Sequence, residues 1–311
     1  MAQEQRPWGW IIVIYLFLGG LAAGLFLVGA VADFVFGVGE AFRPGLYLSP
    51  VLVGVGSLLL VFDLGRPERM WRVFVNPSAI MTVGAWVLLI FMAVGALYAS
   101  CWLPFLPWSG NPLLRHSLAV VGGVLAVATA IYTGVLLGGV KAYPFWNSPA
   151  LPVLFLVSSV STGLAAHGLL LPLAGTHDVA GLETILGRVD AGVLLLELIV
   201  LVIYAFMMYG TTFASSTIHQ SVAASPVIRG KLAVPFWVGV IGVGIVLPLV
   251  LYLLGSGGPL VWLAEACVLV GGLLLRYVVV YAGARTKLPG EQRFLDMLPG
   301  PAAVIWHTDW W

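Results

Sequence analysis

Eight runs of mostly apolar residues, at 8–37, 45–62, 79–102, 115–140, 148–174, 190–213, 232–254 and 260–283, are separated by clusters of Pro, Gly and charged residues. About 20 such residues in a row is the length a helix needs to cross the hydrocarbon of a bilayer. No water is available there, so each crossing must satisfy its backbone amides internally, and a helix does so. The pattern therefore predicts an all-α membrane protein with eight transmembrane helices and, because the number of crossings is even, both termini on one side. Residues 1–283 form the membrane domain and 284–311 an extramembrane or interfacial tail. The first run continues without an A-x-A cleavage site, which predicts a retained helix and not a signal peptide.

The segment Tyr15-Leu-Phe-Leu-Gly-Gly-Leu-Ala-Ala-Gly24 has an echo in Leu154-Phe-Leu-Val-Ser-Ser-Val-Ser-Thr-Gly163. Such an echo would divide the chain into two four-helix bundles. The pairs Gly20/Gly24 and Gly134/Gly138 have the spacing at which missing side chains let helices approach closely. Pro152 and Pro235 are expected near helix starts, and Pro248 at a kink.

Composition narrows the picture. Of 311 residues, 61% are hydrophobic and 9% charged, against about 45–50% and a quarter in soluble domains, which excludes a water-soluble globular protein. The 14 Lys+Arg and 13 Asp+Glu nearly cancel, so no basic surplus exists to neutralise phosphates and nucleic acid is not an expected partner; the lipid bilayer is. The two cysteines, Cys101 and Cys267, belong to no C-x-x-C or Cys/His ligand spacing, so no metal or iron–sulfur cluster is expected in this chain. Nucleotide-binding and hydrolase motifs are absent as well.

Charge is unevenly distributed. The face carrying the termini, side A, collects Arg6, Arg66, Arg69, Arg72, Lys141, Arg229, Lys231, Arg285, Lys287 and Arg293, while side B has Arg43, Arg115 and Arg188. The positive-inside rule would make side A cytoplasmic; a docking surface for an acidic soluble subunit would look the same. The tail's Trp306, Trp310 and Trp311 suit either the headgroup zone or a strap for a partner.

An ionisable side chain within a bilayer costs about 2.5–3.5 kcal/mol on the insertion scale, so each one needs a reason. Four lie well inside the runs: His167, Glu197, Glu265 and Arg276. At about 1.5 Å per residue, the predicted boundaries put the first three within roughly 7–11 Å of side B and Arg276 at a similar depth from side A. They read as a proton path or as hydrogen-bonded pegs fixing helix register. Asp190 and Arg188 read as caps of the sixth helix. His116 and His167 together raise a bis-His haem as a further option. Near side A, Tyr15, Tyr132 and Asp63 form another polar set. A phenol at that depth can donate a hydrogen bond to a quinone oxygen, or simply be an interfacial aromatic.

The ordered set Tyr15–Gly24, Asp63-Leu-Gly-Arg-Pro67 with Asn76-Pro77-Ser78, Tyr132-Thr-Gly-Val-Leu-Leu137, Pro144-Phe-Trp-Asn147 with Leu154-Phe-Leu156, and Leu275-Arg-Tyr277 resembles the NrfD-type, polysulfide-reductase-like membrane subunits. The resemblance runs through nearly all eight helices in order. It implies a quinone-reactive subunit, for menaquinone or ubiquinone, in the bacterial or archaeal cytoplasmic membrane. The implied partners are a four-cluster iron–sulfur subunit docked on side A and a molybdopterin catalytic subunit, which would carry the redox metals. In the family the pocket draws on the start of the first helix and on the Tyr of the fourth, here Tyr132; the site expected on these residues is Tyr15, Gly20, Tyr132, Thr133 and Arg66, with Asp63 or a water as proton acceptor and Glu197, His167, Glu265 and Arg276 as the proton path. Tyr15 stands where a polysulfide reductase member has His, and a phenol near pKa 10 donates a hydrogen bond but is a poor base at neutral pH. The family pattern puts the partner in the periplasm, opposite to the charge count. An ion-coupled secondary transporter is the competing class; it would bring charged groups to a central cavity between broken helices. The terminal substrate would be handled by another subunit and leaves no trace in these residues.

Overall fold

The computed structural model describes residues 9–63, 71, 73–75, 79–139, 145–175, 179–210, 227, 230–255 and 258–283. Eight helices are long and apolar enough to cross a membrane, and the described residues contain no strand. They are α1 (Trp10–Phe34), α2 (Arg43–Asp63), α3 (Ile80–Ser100), α4 (Pro112–Gly138), α5 (Ala150–Leu170), α6 (Val179–Gly210), α7 (Pro235–Leu254) and α8 (Pro259–Ala282). Short 3₁₀ turns at Gly39–Phe42 and Leu171–Ala174 lead into α2 and out of α5. Local chemistry explains a boundary such as the start of α4. The Asn111 side chain accepts from the amides of Leu113 and Leu114 at 3.1 and 3.2 Å, with Pro112 in the first turn, where its missing N–H costs nothing.

α1 and α5 lie at the centre: 61% and 72% of their most apolar stretches are buried in protein, against 28% for α2 and α3. Their crossing is made by Gly24 and Gly163: a Cβ on Gly163 would meet the Gly24 backbone, and one on Gly24 would meet the Ser159 carbonyl. α1 also packs on α2 and α4, and α3 joins α2 to α4; α5 packs on α6 and α8, and α7 joins α6 to α8. The indole of Trp10 stacks on Tyr277, with ring centroids 4.8 Å apart, so the first turn of α1 lies beside the last turns of α8. The Ser49 hydroxyl donates to the Ala22 carbonyl at 2.8 Å and ties α2 to α1.

α7 is wound in two ways. Pro235–Val246 is a π-helix and Leu247–Leu254 an α-helix. The Leu247 amide donates to the Gly242 carbonyl, five residues back. Pro248, expected at a kink, stands at this change of winding, where its lack of an N–H removes one bond from either ladder.

The helix that departs most from the sequence pattern is α6, which begins at Val179 and not near residue 190. The polar residues that look like a loop, Glu183 and Asp190, are buried and hydrogen-bonded, to Trp262 and to Ser161 and Tyr252, so the helix continues through them. Arg66, the Asn76-Pro77-Ser78 motif, the tail 284–311 and every side A cation except Lys231 lie outside the described residues, as does the side chain of Asp63.

Candidate functional site

Two tyrosines meet near the side that carries the start of α1. Tyr15 is 1% exposed, and its hydroxyl has no hydrogen-bond partner among the described residues. A hydroxyl buried without a partner costs about 1–3 kcal/mol. Its electrostatic neighbour is Tyr132 of α4, whose phenol lies against Gly84 of α3 in the space that a Cβ would fill. At about 1.5 Å per residue, Tyr15 is roughly 8 Å along α1 and Tyr132 roughly 9 Å from the end of α4. Thr133 is buried beside α1, but its hydroxyl bonds back to the Ala130 carbonyl at 2.7 Å. Gly20 does not line this pair. A Cβ on it would come 2.9 Å from a guanidinium nitrogen of Arg276 and 2.8 Å from the Ser159 hydroxyl.

A string of ionisable groups runs through the second half of the chain. Arg276, 1% exposed, donates to Ser158 at 2.6 Å, to the Gly272 carbonyl at 2.9 Å and to Ser159 at 3.4 Å. Its guanidinium also lies 5.3 Å from the centre of the Phe155 ring. Ser158 is in turn a hydrogen-bonding neighbour of the buried Glu197, which feels the charge of Arg276. A cavity of about 10 Å³ beside them is lined by Ser158, Thr162, Glu197 and the π-helical turns of α7, roughly the room one water needs. Asp190 accepts from Ser161 at 2.8 Å and from Tyr252 at 3.0 Å. Glu265 neighbours Asp190 and Glu183, and Glu183 accepts from the Trp262 indole at 3.1 Å.

These positions rearrange what the sequence pattern grouped by depth. Because α6 starts at Val179, Glu197 lies about 27 Å along it at 1.5 Å per residue, level with Arg276 and well below Glu265. His167 faces the other way, with Nε2 2.8 Å from the Leu25 carbonyl and its ring edge-on to Phe42 at 4.8 Å. It belongs to the contact of α5 with α1 and α2, and the carboxylates lie elsewhere. His116 packs on Phe34.

Several residues of the string carry a signal in sequence that depth alone overlooks. The hydroxyl run Ser158-Ser159-Val160-Ser161-Thr162 stands in the middle of a crossing, and all four hydroxyl residues are buried. Asp190 is one of its clients, and more than a cap. A further polar group joins α1, α3 and α4 at the opposite end from the tyrosine pair. Asp33 accepts from Tyr98 at 2.7 Å and is 3.2 Å from Arg115. The guanidiniums of Arg115 and Arg43 lie 4.6 and 4.8 Å from the Trp102 ring centre. Nothing in the period of α1 marks Asp33 as paired, since its partners come from distant runs.

The tyrosine pair sets a buried phenol without a partner among the described residues beside a second phenol, a donor set able to hydrogen-bond carbonyl oxygens. Among the described residues, no group of three or more His, Cys, Asp or Glu is placed to hold a metal ion.

Known proteins resemble this one along most of its length. A polysulfide reductase chain of Wolinella succinogenes is 32% identical over 305 residues, covering 89% of the present sequence and 94% of the relative. Protein NrfD of Escherichia coli is 32% identical over 311 residues, 91% and 96% of the two sequences. A selenate reductase subunit of Mesobacillus selenatarsenatis is 26% identical over 319 residues, 89% and 74% of the two sequences. The family profile described as "Polysulphide reductase, NrfD" matches residues 1–287, and the chain belongs to the NrfD polysulphide reductase family.

Proposed function

We propose that this chain is the quinone-reactive membrane subunit of a reductase complex. It exchanges electrons between the quinone pool and an iron–sulfur subunit docked on the face with the termini, next to a molybdopterin catalytic subunit. The observation that carries this reading is the buried, unpartnered Tyr15 hydroxyl beside Tyr132, in a family whose named relatives include members of polysulfide and selenate reductases. The start of α1 beside the end of α8 supports one common face for the termini.

A bound menaquinone or ubiquinone would supply two-electron, two-proton redox chemistry. Tyr15 and Tyr132 hold and orient its headgroup by donating hydrogen bonds to its oxygens, and their rings keep water away. Burial makes those bonds count, because a hydroxyl with no alternative partner gains the whole of the bond on binding. Protons move along the second half of the chain, through Arg276, Ser158, Glu197, Asp190 and Glu265. The string reaches α1 where Gly20 lies against the guanidinium of Arg276. His167 is no part of this relay, since its Nε2 is engaged with the Leu25 carbonyl.

The test is Tyr132→Phe in the complete complex. Loss of one hydrogen bond of about 1.5 kcal/mol lowers quinol-linked turnover roughly tenfold, while electron transfer from an artificial donor to the soluble subunits stays at its native rate. Native quinol-linked turnover in this variant and in Tyr15→Phe would dismiss the pocket.

A further inference from the structure

On the face opposite the termini, a cavity of about 290 Å³ lies between the first turns of α6, the last turn of α7 and the start of α8, lined by Glu183, Thr184, Arg188, Tyr252 and Val261 among others. Carboxylates stand behind it. Glu183 is 4% exposed and Glu265 1%, and Glu265 Oε2 has no hydrogen-bond partner among the described residues. Glu265 is faced by Glu183 and Asp190 from α6 and by Tyr252 from α7, with Cys267 of its own helix near that tyrosine. On the α5 side it packs on Gly168, occupying the space a Cβ would need. Neither Glu265 nor Asp190 forms a salt bridge among the described residues.

The corresponding end of the first half pairs its acid. There Asp33 is held by Tyr98 and Arg115, and the guanidiniums of Arg115 and Arg43 lie 4.6 and 4.8 Å from the Trp102 ring centre. Of the two ends, one neutralises its aspartate with a cation. The other places buried carboxylates that form no ion pair among the described residues behind a cavity, an arrangement that binds and releases protons and not anions.

We propose that the α6–α7–α8 cavity is the aqueous mouth through which the buried carboxylates exchange protons with the compartment opposite the termini, Glu183 being the outer and Glu265 the inner carrier. The inference rests on the quinone reading above for what drives the exchange. In the inward direction, a hydronium O–H bond in the cavity breaks as one forms on the Glu183 carboxylate. That bond breaks in turn as one forms on Glu265, restoring the Glu183 carboxylate, and Asp190 receives the proton next. No electrons move, and the reverse order releases a proton to the same side.

The test uses the complete complex in sealed vesicles of known orientation, in a Cys101→Ser, Cys267→Ala background. Thr184→Cys, inside the cavity, is expected to react with a membrane-impermeant maleimide only from the face opposite the termini, with Arg188→Cys at the rim as the exposed reference. Glu265→Gln and Glu183→Gln are expected to slow proton exchange per quinol turnover about 100-fold, the lower end of what a positioned acid–base group contributes. Quinol affinity should stay native, and Glu265→Asp should restore part of the rate. Labelling of Thr184→Cys from the other face or from neither, or native proton exchange in Glu265→Gln, overturns the proposal. Failure of the quinone reading shows separately, as absence of quinol binding by the native complex, and the maleimide pattern answers for the mouth in that event too.

Discussion

The two halves of this chain bury polar groups in opposite ways. In α1–α4 the membrane interior holds hydroxyls: Tyr15 and Tyr132 near one face, while Asp33, the one buried carboxylate among the described residues, is neutralised by Arg115 near the other. In α5–α8 the described residues include four buried carboxylates, Glu183, Asp190, Glu197 and Glu265, and a single buried guanidinium, Arg276. The halves use comparable helix contacts, so helix packing does not dictate the difference. Neutral phenols can bind and release an uncharged headgroup at little electrostatic cost. A surplus of carboxylates over cations is costly in a low dielectric unless some of them hold protons. The first half is thus suited to a ligand and the second to a proton.

The contrast breaks most visibly at Arg276. Its guanidinium is fully enclosed and is held by Ser158, Ser159 and Gly272, with Glu197 as the nearest acid. Arg276→Met roughly keeps the volume but takes the donor from Ser158 and Ser159 and the nearby charge from Glu197, and a buried polar group left without its partner costs about 1–3 kcal/mol, more for a charged one. Thermal unfolding in detergent is expected to shift down accordingly. The double variant Arg276→Met, Glu197→Gln should recover a good part of the loss, since no charge is then left alone. A double variant no more stable than the single one would show that the two residues are not coupled and that the string is only a set of neighbours.

How much of this could be read in the sequence depended on how local the cause was. The crossings were legible because twenty apolar residues in a row have one outcome in lipid, and seven of the eight helices start within a few residues of where their pattern predicts. α6 starts earlier than its pattern suggests because Glu183 and Asp190, polar in sequence, are buried in fact, their polarity satisfied by Trp262, Tyr252 and Ser161 from other helices. The same blindness to distant partners made depth a poor guide to the ionisable residues. Glu197 and Glu265 looked level but are not, and His167 looks toward α1 while Glu265 looks toward α6. Residue type was the better clue: Tyr15 and Tyr132, named from the sequence, do come together, whereas Gly20 faces Arg276.

A smaller effect sharpens the comparison at matching places. α3 and α7, each the third helix of its half, carry a tyrosine in the last turn that donates to a buried aspartate: Tyr98 to Asp33 at 2.7 Å and Tyr252 to Asp190 at 3.0 Å. A hydrogen bond to a charged group contributes about 1.5–3 kcal/mol, a neutral one about 1. Asp33 is ion-paired with Arg115, so Tyr98→Phe should cost about 2 kcal/mol in the same unfolding measurement. Asp190 has no ion pair among the described residues, and if it holds a proton for part of the time, Tyr252→Phe should cost about half as much. Equal losses at the two sites would mean that Tyr252 is bound to Asp190 as strongly as Tyr98 is to the ion-paired Asp33, which would remove Asp190 from the proton relay.

The smallest change concerns neither chemistry and so calibrates both. Ser49 is 0% exposed and donates to the Ala22 carbonyl at 2.8 Å, between α2 and α1 on the far side of α1 from the Arg276 string. That carbonyl already accepts within its own helix, so Ser49→Ala removes one neutral bond and leaves no orphaned group behind. The expected loss is about 0.5–1 kcal/mol, the ordinary net value of such a bond, with quinol turnover and proton exchange both native. Interhelical hydrogen bonds in a bilayer are seldom worth more, because the separated helices also find partners. A loss approaching that of Tyr98→Phe would mean that the α1–α2 contact is held by polar bonds and not by close packing at its small residues. The difference between the halves would then have to be sought in how tightly each is assembled, before any weight is put on the charges they enclose.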